Sequence, residues 1–178
     1  MSRLKEPLPA KVVMSIFARE ETIIQEARGL AQEFLGDIEF DSGLMPFEFT
    51  DYYEPEFGRG LKRCFVAFSG LRPQDSLRAI KLGTWRLEYE HTVDGRRRFN
   101  LDPGILTLER LVLATGKNYV HRIYLGSGVF ADLTLIFKKG GFAGLDWTYR
   151  DYLLPQSIAF WHMVRDSYRK ELKEGGYL

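Results

Sequence analysis

Apolar residues first cluster at positions 12–18, where both sides of an extended segment are apolar, the pattern of a central strand covered on two faces. Positions 20–35 switch to helical spacing, with Ile23, Ile24, Ala27, Leu30, Ala31 and Phe34 on one stripe. Glu20 and Glu21 lie at the dipole-positive end and Gly36 provides a stop. Residues 37–40 and 47–52 read as strands, separated by Ser42-Gly43 and Pro46. Residues 62–69 form another strand that is apolar on both sides. Pro73 opens a helix to about residue 90 with Leu77, Ile80, Thr84 and Leu87 inward, weakened locally by Gly83. Asp94-Gly95 is a turn and residues 96–101 a strand.

This β-α-β-β-α-β order is that of a split βαβ, ferredoxin-like unit, whose inner strands are the first and third. Those are the two strands here with apolar residues on both faces, so a second layer must cover the side opposite the helices. The rest of the chain supplies it. After a turn at Asp102-Pro103-Gly104, Thr107 caps a predicted short helix with Leu108, Leu111 and Val112 inward, ended by Gly116. A β-hairpin follows around Gly126-Ser127-Gly128, read as a three-residue loop. Pro155 begins a last helix with Ile158, Trp161, Val164 and Tyr168 on one face. The expectation is an α+β single domain over 1–178, with a ferredoxin-like part (1–102) and a helix-hairpin-helix part (103–178) sharing one core.

The three-residue loop sets Leu125 opposite Val129, Ile123 opposite Ala131 and His121 opposite Leu133 on the core side. On the other face Tyr124 meets Phe130 and Arg122 meets Asp132. A two-residue turn would instead set Asp132 against Ile123, a chemically poorer match, so the pattern itself favours the first register.

Composition adds exclusions. The net charge of +1, from 25 basic and 24 acidic residues, argues against gripping nucleic acid by its phosphates. Hydrophobic residues make up 45%, enough for a core without a disulfide or metal. The one cysteine, Cys64, lies in an apolar run and reads as a structural thiol. The first apolar run is too short to span a bilayer and has no small-residue cleavage site, so the expectation is a cytoplasmic chain without membrane association.

Arg122, oriented by Asp132, has the chemistry of an anion clamp, with Tyr124 as an aromatic wall. The plainer alternative is a cross-strand ion pair contributing under ~1 kcal/mol at a surface. His121 is a general acid or base if a carboxylate lies near, and otherwise a packing residue. Asp51 follows Phe47 and Phe49. A buried carboxylate there needs a partner, as a general base or, with Glu54, as a ligand for Mg²⁺; otherwise the strand ends at Thr50 and a loop begins. Lys138 and Lys139, followed by glycines and then Trp147 and Tyr149, suit a phosphorylated aromatic ligand, or simply connect into the last helix. Arg96-Arg97-Arg98 reads as a solvated strand end.

The segments FTDYYEPEFG, GRRRFNLDPG, HRIYLGSGVFADLTL and DWTYRDY, in this order, resemble the signature of a bacterial and archaeal family of unknown function. Its members are sometimes labelled GTP-binding, and Arg150 stands where the resemblance implies proline. The residues do not spell a P-loop: Thr115-Gly116-Lys117-Asn118 lacks the first glycine and the hydroxyl, and Asn-Lys-x-Asp is absent. The sequence therefore leads to two expectations. One is binding of a small phosphorylated ligand or nucleotide by Arg122, Tyr124, Asp132, Lys138, Trp147 and Tyr149, with Asp51 and His121 as the groups for any catalysis. The other is a non-catalytic surface for a protein partner.

Overall fold

The computed structural model describes residues 3–178 and contains helices and an antiparallel sheet, the α+β class expected. In chain order the elements are β1 (Ala10–Ala18), α1 (Glu21–Leu35), β2 (Ile38–Asp41), β3 (Met45–Pro46), α2 (Glu54–Phe57) and β4 (Lys62–Arg72). Next come α3 (Leu77–Glu90), β5 (Asn100–Leu106), β6 (Arg110–Thr115), β7 (Arg122–Gly126), β8 (Val129–Lys138), β9 (Gly141–Gly144) and α4 (Pro155–Glu174). The sheet runs β2-β4-β1-β5-β6-β8-β7, with β3 beside β4 and β9 beside β8. Every pairing is antiparallel.

Strands β1 and β4 are interior, as their two-sided apolarity predicts. Val12, Met14 and Ile16, with Cys64, Val66 and Phe68, pack against Ile24, Ala27 and Ala31 of α1 and Ile80 of α3. Val13, Phe65 and Ala67 face the opposite way and are covered by Phe160, Trp161, Val164 and Tyr168 of α4. Among the described residues none of the four helices has a side-chain N-terminal cap, so buried side chains worth about 1.5–3 kcal/mol each hold them in place. Gly83 has a packing reason: the Phe34 ring of α1 occupies the space a side chain there would need.

Several expected elements are corrected. Residues 107–116 are not a helix: Thr107 N–H bonds Arg110 O in a tight turn, and β6 follows. Alternation explains this, since Leu111 and Leu113 go to the α4 side and Ala114 and Val112 to the other. Asp102-Pro103-Gly104 is not a turn but lies inside β5, and the strand expected at 96–101 begins only at Asn100. Gly104 is required by closeness, because a side-chain carbon would meet Val112 O at 2.7 Å. Residues 47–52 are a loop leading into α2, with Phe47 buried and Phe49 exposed. The Asp94-Gly95 turn is as expected, closed by a Val93–Arg96 bridge.

The hairpin reaches its expected register by another route. Ser127 and Gly128, both at positive φ, form a two-residue turn that pairs Gly126, not Leu125, with Val129. A bulge between Tyr124 and Gly126 adds back one residue, restoring Tyr124 to Phe130, Ile123 to Ala131 and Arg122 to Asp132. The side expected to be core is the open one, with Ile123 71% exposed, because β7 ends the sheet and no helix covers it there.

Candidate functional site

Proline at 103 opens a cleft in the sheet. Strand β6 pairs with β5 only at Gly104, Ile105 and Leu106, although its own chain continues to Thr115. Leu101 N–H and C=O both point away from β1, toward α3 side chains. By strand alternation the Pro103 nitrogen faces the same way, and it has no hydrogen to give Ala114, its next ladder partner. The two strands separate beyond that point. The Glu88 carboxylate and Lys81 ammonium of α3 take over, accepting from Leu101 N at 2.5 Å and donating to Leu101 O at 3.0 Å.

The resulting cleft is about 350 Å³. Its floor includes Asn100, Asp102, Leu113 and Thr115, and its walls come from α3, from Tyr52 and Tyr53 ahead of α2, and from Lys117, Arg122 and Tyr149. One chain of contacts crosses it. Arg97 grips Glu56 through Nε (2.8 Å) and Nη2 (2.7 Å) and donates to Asn100 Oδ1 at 2.7 Å. Asn100 Nδ2 donates to Asp102 Oδ2 at 2.8 Å, and Lys81 lies 3.2 Å from Asp102 Oδ1. A second group sits opposite: Arg122 Nε donates to Asp132 Oδ2 at 2.8 Å and its Nη1 to Lys117 O at 3.0 Å.

Electrostatics separates the carboxylates. Burial pushes Glu88 above the usual range, against the pull of Lys81. Burial also works upward on Asp102, but Lys81, Arg63 and the Lys81 and Asn100 hydrogen bonds together leave it below its ordinary value. The Arg97 hydrogen bonds hold Glu56 low. Tyr53 is raised, first by burial and then by Asp102. Lys117 stands apart: its ammonium lies 3.6 Å from the Tyr52 ring centre and, among the described residues, it has no carboxylate partner. The other basic residues of the cleft are each paired, Lys81 with Asp102, Arg97 with Glu56 and Glu88, and Arg122 with Asp132.

Of the residues singled out from sequence, Arg122, Asp132 and Tyr149 line this cleft together. His121 is not on a core face. Its Nε2 lies 3.3 Å from Asp132 Oδ2 and its ring stacks on Trp147 at 4.7 Å. Trp147 itself is anchored to strand β8, which has β7 on one edge up to Asp132 and β9 on that edge from Leu135. In the gap, Trp147 Nε1 donates to Leu133 O at 2.7 Å and Thr148 Oγ1 to Thr134 O at 2.6 Å. Tyr124 is exposed, packs on Phe130 and accepts from Gly128 N; it does not line the cleft. Lys138 is at the far end of β8, about 20 Å from Asp132 by strand rise. Asp51 and Glu54 line a separate shallow cleft with Glu48 and Arg59, where Glu54 pairs with Arg59. Among the described residues no three His, Cys, Asp or Glu side chains converge as metal ligands.

Sequence reading missed Lys81, Glu88, Asn100, Asp102 and Lys117, and took Arg97 for a solvated residue. One signal was present: Glu88 falls four residues after Thr84 on the inward stripe of α3, and it is buried there while Leu87 is only partly so. Behind the cleft wall, Arg63 of β4 and Asp151 form a buried ion pair, with the Arg63 guanidinium 3.7 Å over the Phe47 ring. Asp151 of the DWTYRDY segment is therefore a structural anchor, while Arg150 beside it is exposed. No described helix is long and apolar enough to cross a membrane.

A family model described as a domain of unknown function, DUF4416, matches residues 8–168. No curated protein and no solved structure matches the chain.

Proposed function

The chain belongs to the DUF4416 family, whose description names no activity, and from the geometry we propose that the cleft between β5 and β6 binds a small phosphorylated ligand with a flat ring, such as a nucleotide. The observation that carries this reading is Lys117. An ammonium held on an aromatic face in the cleft, with no carboxylate within 4 Å among the described residues, keeps its charge available for an incoming anion. Arg122 lies on the same wall with donors left over after meeting Asp132 and Lys117 O. Tyr52 and Tyr149 offer ring faces for stacking. This is not a P-loop arrangement; the anion is met by side chains from strand ends.

The test is a thermal-shift screen of nucleotides and phosphorylated metabolites, with and without Mg²⁺, on the native chain and on Lys117→Ala. Stabilisation that grows with ligand concentration and is lost in the variant supports the reading. A flat screen overturns it. A polypeptide partner is the second reading, favoured by β7, a free sheet edge bearing the exposed side chains of Ile123 and Tyr124. It requires a partner whose capture depends on Ile123 and not on Lys117.

A further inference from the structure

A second recess opens between α3 and the tip of the β7–β8 hairpin, about 250 Å³ in volume and lined by Lys81, Leu82, Trp85, Gly116, Ser127, Gly128 and Val129. Three of these residues, Lys81, Trp85 and Gly116, also line the β5/β6 cleft, so the two hollows adjoin. Their chemistry differs sharply. The cleft holds four acidic and four basic side chains, Glu56, Glu88, Asp102 and Asp132 with Lys81, Arg97, Lys117 and Arg122, whereas the recess has Lys81 as its sole charge.

Two of the positions lining the recess have no side chain. At Gly116 and Gly128 a side-chain carbon would meet nothing within 4 Å, and at Gly128 a positive φ favours glycine besides. Trp85 stands at the junction. It is 57% exposed and stacks on Tyr89 at 5.6 Å with the rings 20° from parallel, so its indole is braced before any ligand arrives. A braced aromatic loses little freedom on stacking against a flat ring. Size points the same way: small-molecule sites occupy about 300–1,000 Å³, and these hollows singly fall near or below the lower limit.

We infer that one ligand spans both hollows, and that it belongs to the class of compounds in which two flat rings are joined through a phosphate bridge, as in a dinucleotide. This rests on the cleft reading above. One ring and the bridging phosphate occupy the charged cleft by Lys117 and Arg122, and the second ring lies on Trp85 in the apolar recess.

Titration calorimetry separates the two claims, with AMP and GMP as one-ring probes and NAD and diadenosine tetraphosphate as two-ring probes. The expected result is two-ring binding at least tenfold tighter than one-ring binding. Trp85→Ala should remove that advantage, weakening two-ring binding at least tenfold more than one-ring binding, while Trp85→Phe, which keeps a ring, should restore most of it. Lys117→Ala should weaken both classes. Equal affinity for the two classes, or equal weakening of both by Trp85→Ala, overturns the two-part ligand while the cleft reading stands on its Lys117 dependence. Absence of binding by every probe overturns the inference along with the reading beneath it.

Discussion

The Glu88 carboxylate accepts the Leu101 amide N–H at 2.5 Å, so a helix side chain occupies the ladder position that a neighbouring strand would otherwise fill. An unmet backbone group at the bottom of a cleft costs about 1–3 kcal/mol, and Glu88 with Lys81 removes that cost while keeping the strands apart.

Glu88→Ala should therefore lower stability by about 1–3 kcal/mol. Glu88→Gln keeps an acceptor for Leu101 and loses the titration. Because the folded pKa is raised above the ordinary 4.5, the favourable contribution of Glu88 is full below that value and declines as pH rises through the folded value. The melting temperature of the Gln variant, relative to the native chain, should climb as pH is raised from 4.5. A difference that stays constant with pH would show that Glu88 titrates normally.

Pro103→Ala returns the donor that β5 lacks. The new amide should pair with Ala114 O, lengthen the β5–β6 ladder and narrow the cleft. Hydrogen exchange at residue 103 reads this directly, with slow exchange expected. Rapid exchange would mean that something other than the missing donor separates the strands.

Arg63 and Asp151 are 5% and 1% exposed, and among the described residues Arg63 Nε and Asp151 Oδ1 have no hydrogen-bond partner. Removing one charge strands the other, so Asp151→Ala should cost about 3–5 kcal/mol. The pair Arg63→Met with Asp151→Leu should cost less than Asp151→Ala alone, since it leaves no orphaned ion. Urea denaturation measures both, and a double variant at least as costly as Asp151→Ala would argue against coupling.

The Cys64 thiol is buried, and burial pushes its pKa up to about 12. At pH 8 it should resist a thiol reagent in the folded chain and react fully once the chain is unfolded. Fast native labelling would contradict its place beneath α1.

What the sequence revealed depended on how local the cause was. The Arg122–Asp132 pairing was legible because strand parity and charge agree across a short hairpin, even though the turn itself is shorter and a bulge supplies the difference. The two-sided strands were legible because covering both faces leaves few polar positions. Strand β6 was misread because Leu108, Leu111 and Val112 also fit a helical period, and only its place between β5 and β8 decides the matter. The cleft was hidden for a different reason. It arises from a hydrogen that Pro103 does not have, in a segment whose Asp-Pro-Gly composition suggests a turn. Its polar lining comes from α2 and the loop before it, from α3, from β5 and the residues before it, and from β6 to β8, which approach one another only in the folded chain.

The bulge before Gly126 also constrains how this gene can change. At the hairpin tip, positive φ at Gly126, Ser127 and Gly128 restricts the residue types, and the number of residues is restricted more tightly still. Loss or gain of a single codon between Tyr124 and Phe130 would rotate the guanidinium to the opposite surface and dismantle one wall of the cleft. Descendants of this sequence should hold the length of this segment and keep glycine at 126 and 128.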